Sequence, residues 1–434
     1  MRARTLGLGL AAAGLVAFLG WRFLRPLNIF VVDERFERPV DTREVPPPLQ
    51  HLRAEGCAAC HPAFYDEWKT TIHSQAWTDP YFQADWKFDG RQQVCRNCHT
   101  PLDRQQPQRV LGFRDKEKWD PILAPNPDFD PRLQHEGVTC AACHLREGRI
   151  QGVLGLETAP HPVRRLADPN QVCVRCHVVG GERWDTFYRF PPCGTVAEIQ
   201  ATPGALAKED IDMALQGKGP ADAPAPAPAA GTSGEIRVSN TKQLGCVQCH
   251  MPRVERPLVP GGPVRASRRH LWRGGHDPEM VRKALTVKLE DRPGRGGGGR
   301  LVLTLTNTGA AHYLPTGTPD RHLTAELKLL DPDGRVIEVE RATFRRTVMW
   351  RPFIVDLWDT RLPRWQPRRV TLRYRRAQRA RAAAAEAVVR YHLLDEKRRR
   401  RIGYENTTPI AYEVVRRRLS LGPLPAPEEE RHER

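Results

Sequence analysis

Methionine is scarce, with 5 in 434 residues, aromatic side chains make up only 7 %, and 11 cysteines are too few for a disulfide scaffold. No apolar run beyond the first two dozen residues is long enough to cross a bilayer, and no collagen or heptad repeat is present, so multispan membrane proteins, collagens and coiled coils are excluded. Acidic residues are also short, 51 against 68 Lys and Arg, for a formal net charge of +17. What is present is 40 % hydrophobic, enough for a packed core, and a length that at about 150 residues per domain suggests two or three domains.

The few cysteines are clustered. Ten of the 11 stand in five motifs of one form: Cys57-Ala-Ala-Cys60-His61, Cys95-Arg-Asn-Cys98-His99, Cys140-Ala-Ala-Cys143-His144, Cys173-Val-Arg-Cys176-His177 and Cys246-Val-Gln-Cys249-His250. C-x-x-C-H is the attachment motif of c-type heme: two thiols three positions apart form thioethers with the vinyl groups, and the adjacent imidazole reaches the iron. Zinc also uses C-x-x-C, but in twos, which leaves an odd unit here, and it does not require His after the second Cys. No repeating strand and helix pattern surrounds the motifs, which argues against a thioredoxin-like role. The cofactors expected are therefore five covalently bound hemes c, held by Cys57, Cys60, Cys95, Cys98, Cys140, Cys143, Cys173, Cys176, Cys246 and Cys249, with His61, His99, His144, His177 and His250 as proximal ligands.

Residues 1–25 read as a membrane anchor or signal. Thr5 to Trp21 carries no charge, and Arg22 interrupts before Phe23 and Leu24, so the segment spans a bilayer if Arg22 snorkels. A cleaved signal peptide is the rival, although Ala11-Ala12-Ala13 leaves little apolar run ahead of it. Either way the remainder is exported, to where c-type heme is attached.

Residues 26–50, with Pro46-Pro47-Pro48, read as an extended tether, and 51–280 as a pentaheme domain of short helices and loops wrapped on porphyrin. Within it, 218–234 is a low-complexity insertion rich in Ala and Pro. From 281 to 421 the pattern changes to period two. Ala284 to Leu289, Leu301 to Thr306, Leu323 to Leu330, Arg335 to Glu340, Arg369 to Tyr374 and Ala387 to Tyr391 are strands, with turns at Gly296 to Gly299 and Asp331 to Gly334. The fold class is thus mixed: a mainly α and irregular multiheme domain, then a C-terminal antiparallel β-sandwich of immunoglobulin-like type. Residues 422–434 form a disordered tail.

Ten further histidines compete for the distal positions. His73 follows Tyr65 and Trp68 in a plausible amphipathic helix, His161 is stiffened between Pro160 and Pro162, His270 and His276 bracket Trp272 and paired glycines, and His312 sits in a glycine-bounded loop between strands. These five are the expected distal metal ligands, mostly giving bis-His irons, and His312 would dock the sandwich onto the heme domain. His135 fits either role, while His51, His322, His392 and His432 read as structural or solvated.

Cys57-x-x-Cys60-His61-x3-Tyr65-x2-Trp68-x4-His73 resembles the opening heme motif of the cytochrome c-552/c-554 superfamily, which extends to octaheme hydroxylamine oxidoreductase. Glu136 to His144, Cys249-His-Met-Pro252, His270 to His276 and His312 to Gly317 are similar to segments of larger multiheme cytochromes with a C-terminal β domain. The resemblance covers about residues 50 to 340 and implies His73, His161, His270, His276 and His312 as distal ligands. A fifth motif exceeds the four of cytochrome c-554, and no C-x-x-C-Lys motif is present, so no enzymatic activity carries over with it.

Cys193, after Pro191-Pro192, has no cysteine left to pair with; a buried free thiol is expected, with a heme-facing thiolate or an intermolecular disulfide as alternatives. An exported heme protein does not meet nucleic acid, so the basic excess reads instead as partly a counterweight to ten heme propionates, which would reduce it to about +7. The expected function is electron transfer between a redox protein or quinol-linked donor and an acceptor, on a protein anchored in the inner membrane and facing the periplasm. The alternative is a multiheme oxidoreductase acting on a small nitrogen or sulfur compound at one open heme.

Overall fold

A computed structural model describes residues 2–25, 28–156, 158–179, 183, 185–191, 193–201 and 245–422. The expected insertion at 218–234 and all but the first residue of the expected tail lie outside these.

Helices dominate the first half: α1 (Arg2–Leu24), α2 (Ala54–Ala58), α3 (Pro62–Trp68), α4 (Pro80–Phe88), α5 (Gln93–His99), α6 (Pro131–His135), α7 (Cys140–His144), α8 (Gln171–His177), α9 (Thr195–Ala201) and α10 (Cys246–His250). After α1 all are short, as expected of chain that packs against a cofactor. Small sheets lie among them, formed by β1 (Gln108–Phe113) with β2 (Pro121–Pro125), by β3 (Leu145–Arg146), β4 (Arg149–Gly152) and β5 (Val163–Arg165), and by β7 (Arg253–Pro257) with β8 (Val264–Arg268). The two-residue strand β6 (Thr186–Phe187) pairs outside this half.

Two features differ from the expectation. Phe30, Val32, Phe36 and Val40 are buried, and Val40 exchanges backbone hydrogen bonds with Pro101 and Asp103, so much of 28–50 is a packed strap rather than a free tether. Its alternating apolar residues give it a face to bury, which proline content alone conceals. His73 also lies beyond the end of α3: Thr70 and Thr71 donate hydroxyl hydrogen bonds of 2.8 and 2.7 Å to the Glu67 and Trp68 carbonyls, a competition that ends helices.

The second half is built from β9 (Leu285–Pro293), β10 (Gly299–Asn307), β11 (His322–Leu330), β12 (Val336–Phe344), β13 (Arg346–Met349), β14 (Ile354–Asp359), β15 (Arg368–Tyr374), β16 (Ala384–His392) and β17 (Ala411–Ser420). An antiparallel sheet ordered β15-β10-β9 and another ordered β12-β11-β16-β17 contribute to one apolar core. Period-two alternation explains this. Leu301, Leu303 and Leu305 of β10, and Leu323, Ala325, Leu327 and Leu329 of β11, are all 0 % exposed. The turns form where glycine was expected, with Gly296 at φ +70°, Gly297 at +79° and Gly334 at +79°.

The halves are joined. Strand β6 pairs in parallel with β14, Arg361 forms a buried 2.6 Å ion pair with Glu198 of α9, and Arg398 of the last helix, α11 (Glu396–Arg401), bonds Asp85 of α4.

Candidate functional site

Four of the five motifs form the last turn of a helix, α5, α7, α8 and α10, each ending at its histidine. Three-residue spacing on a helix puts both thiols on one face, with the next imidazole on the same side. The first motif differs: α2 stops at Ala58 and His61 caps α3, because Pro62 suits a helix start and not a helix interior.

The imidazoles are held in one tautomer. Nδ1 of His61 donates to the Leu258 carbonyl at 2.8 Å, His99 to Ala76 at 2.6 Å, His144 to Gln151 at 2.8 Å and His250 to Arg273 at 2.6 Å. A carbonyl only accepts, so Nδ1 carries the proton and each Nε2 lone pair is free for a metal, the arrangement that orients metal-bound histidines. Among the expected distal residues, His270 donates to Arg268 at 3.1 Å and His312 to Tyr313 at 2.8 Å.

Burial favours the neutral form of eight of the ten rings. It pushes His73 down to about 3, with His177 and His250 adding to the effect, and His99, His177, His270, His276 and His312 down to about 4. His144 and His161 are lowered by the same cause. Neutral imidazole is the metal-binding form.

Imidazoles far apart in sequence come together. Ring centres are 6.5 Å apart for His73 and His177, 5.9 Å for His144 and His270, and 6.4 Å for His250 and His312. Two metal–nitrogen bonds of about 2 Å, plus roughly 1 Å from each nitrogen to its ring centre, require about 6 Å between opposed axial ligands. His322 and His392 are a useful contrast: they stack at 4.2 Å, too close to hold a metal between them, as a register pair of β11 and β16. His61 and His161 are electrostatic neighbours. Among the described residues, neither His99 nor His276 is in ring contact with another imidazole, and Phe82 stacks on His99 at 3.5 Å.

All of this surrounds one cavity of about 3420 Å³, several times the 300 to 1,000 Å³ or so of a single-ligand pocket. Every cysteine of the five motifs lines it, as do all ten expected ligand histidines. Thiols of different motifs meet inside it: Cys57 with Cys140, Cys98 with Cys176, and Cys173 with Cys246. The donor set, its tautomers and the size of the space fit several covalently attached hemes.

Residues 56–120 match the family model described as cytochrome c554 and c-prime. That segment of the chain, which holds the first two attachment motifs, is similar to this cytochrome family. Among solved structures the fold of the chain is similar to that of a penta-heme cytochrome c552 from Thermochromatium tepidum, with 16 % identity and a TM-score of 0.55 over 85 % of this chain and 98 % of that one. A comparison with curated proteins finds no match.

Two cavity residues depart from their main sequence reading. His51, read as structural or solvated, lines the cavity with a buried Nδ1 that lacks a partner, and its ring lies so close to Gly56 that a Cβ there would come within 3.2 Å. Glycine just before the first motif was the available signal. Cys193, expected to be buried, is instead exposed on the cavity wall at φ +60°, enclosed enough by protein that desolvation raises its thiol, with Arg321 opposing. Arg268 also lines the cavity, and burial disfavours its charge, a cost that a nearby anionic group such as a propionate would offset. His135 is absent from the lining; His432 lies outside the described residues.

Proposed function

We propose that this cytochrome is a membrane-anchored, periplasm-facing pentaheme protein that transfers electrons between respiratory partners, from a redox protein or quinol-linked donor to an acceptor. The supporting observation is the spacing of the imidazole pairs, about 6 Å in three cases, around a cavity lined by all five attachment motifs. On this reading His177 pairs with His73, His144 with His270, His250 with His312, and His61 with His161, leaving His276 for His99. The hemes supply one-electron redox chemistry. The chain would set their spacing and, for His61, His99, His144, His250, His270 and His312, orient Nε2 through an Nδ1–carbonyl bond. The thiol contacts support two groups of neighbouring hemes: the fourth motif, at Cys173 and Cys176, touches the second and the fifth, while Cys57 and Cys140 link the first to the third. Helix α1, with Thr5–Leu24 long and apolar enough to cross a membrane, supports the anchor.

A second reading, a multiheme oxidoreductase acting on a small nitrogen or sulfur compound at one open heme, is favoured by one feature. Within the described residues, His99 faces Phe82 and has no imidazole in ring contact. Pyridine hemochrome analysis with carbon monoxide binding to the reduced protein separates the two. Five hemes and no fast adduct are expected of the carrier; one high-spin heme that binds carbon monoxide would select the oxidoreductase, and a count below five would reject the pentaheme reading.

A further inference from the structure

The carboxyl end of α1 does not hang free of the rest of the protein. Arg22 is buried and Arg25 half-buried, and both pair with Asp185 at 2.9 Å, a carboxylate that also takes Arg183 at 3.1 Å. Phe18 packs on Phe353 with ring centres 6.2 Å apart, the Arg22 guanidinium lies 5.4 Å from the same ring, and Arg351 donates to the Phe23 carbonyl. The crevice between helix and loop holds only about 10 Å³. The loop between β13 and β14, residues 350 to 353, therefore runs alongside the last two turns of α1.

That contact fixes a depth. At 1.5 Å per residue, Phe18 lies about 9 Å from Leu24 along the helix axis, within the roughly 5 to 10 Å at which interfacial elements sit in the headgroup and upper acyl region. If Thr5–Leu24 crosses the bilayer, whatever touches Phe18 from outside the helix reaches that depth with it. The loop composition fits: Trp350 and Phe353 are interfacial aromatics, and the exposed Arg351 supplies positive charge. The strands next to this loop also expose large apolar side chains: Leu357 and Trp358 of β14 and Phe187 of β6, which pairs with β14, are 46 %, 58 % and 58 % exposed.

We propose that this face, the β13–β14 loop with Phe187, Leu357 and Trp358 beside it, is a second membrane contact that inserts into the interface of an anionic bilayer next to α1. It rests on the anchor reading of α1 and goes beyond it. The protein then lies against the membrane in one orientation, and Arg22 is neutralised by Asp185 from its own globular part instead of snorkelling to water.

The test uses the full holoprotein, without substitutions, in nanodiscs of phosphatidylethanolamine and phosphatidylglycerol carrying a diazirine-tagged phosphatidylglycerol. After illumination, mass spectrometry is expected to find lipid adducts on peptides from α1 and, several-fold above those from α11, on peptides covering residues 350 to 358. Adducts on α1 with the loop no more labelled than α11 overturn the proposal and leave the anchor intact. A mature protein that has lost α1 and shows no adducts at all overturns both. As a second reading of the same face, Phe353→Glu in the full chain should lower loop labelling several-fold while α1 labelling persists; unchanged loop labelling also counts against the insertion.

Discussion

The two halves of this chain are held together by different means. In the β half, 22 buried residues from both sheets form one continuous apolar core. Among the described residues the first half has scattered clusters, the largest being Val40, Leu52, Leu102, Leu133, Ala141, Ala142 and Leu145, set around a cavity of about 3420 Å³. A fully buried Leu contributes about 1.5 to 3 kcal/mol, so the β strands are stabilised by their own side chains, whereas the described residues of the first half bury far fewer of them. On the proposed function, the difference assigns heme two structural roles: core of one half and neighbour of the other.

The strongest way to break this comparison is to withhold the cofactor. Replacing Cys173 and Cys176 by Ala removes the attachment site whose thiols meet those of two other motifs. The expected result is loss of protease resistance throughout residues 51 to 280 while the β half keeps a resistant fragment, read by limited proteolysis and mass spectrometry. Equal loss in both halves would show that the β core depends on heme as well.

Next in size is the joint. Arg361 and Glu198 are each 3 % exposed and pair at 2.6 Å, with Asp359 also on the guanidinium. Removing one partner of such a pair leaves a buried charge uncompensated, and Arg361→Ala should cost about 3 to 5 kcal/mol in denaturant unfolding. Because His312 lies in the same joint, with Tyr313 N donating to Glu198, the variant should also change the low-spin signal of the heme that takes His250. A pure β-core lesion sharpens the contrast: Leu303→Ala should cost about 2 to 5 kcal/mol with an unchanged Soret band. A shifted Soret band would mean that the cores are not separable.

The β half was largely legible in the sequence because period-two alternation is a local signal: Leu301, Leu303 and Leu305 announce both a strand and its buried face. The attachment motifs were legible because their chemistry fixes the spacing. The joint was not. Asp185 reaching Arg22, and Glu198 reaching Arg361 from 163 positions away, depend on tertiary placement that no local pattern encodes. The strap at 28–50 reads as a tether because Pro46-Pro47-Pro48 and many charged residues mask the short alternation of Phe30 and Val32, and the buried Phe36 and Val40 each follow at a gap of four. The pairing of imidazoles came only from the folded chain, since each pair joins residues from different elements.

The smallest expected effect lies on the seam where Asp320 of the β half faces α4. Burial, the leading cause, pushes this carboxyl up to about 6 from an ordinary 3.8; Asp85 and Asp395 raise it further, Arg398 and Arg345 oppose, and Tyr81 stands beside it. A folded-state value above the unfolded one means that stability from this group is fully present below pH about 4 and is lost as pH rises through about 6, because the native state must then hold a poorly solvated charge. Asp320→Asn removes that charge and retains the backbone carbonyl that accepts from His322 Nδ1 at 2.9 Å. The variant should match the parent at pH 4 and melt a few degrees higher at pH 7.5, a difference on the order of 1 to 2 kcal/mol. Heme propionates near the seam would raise the Asp320 carboxyl further, so the gap between variant and parent should widen with heme loading. A gap equal in heme-replete and heme-poor preparations would show that the seam belongs electrostatically to the β half alone.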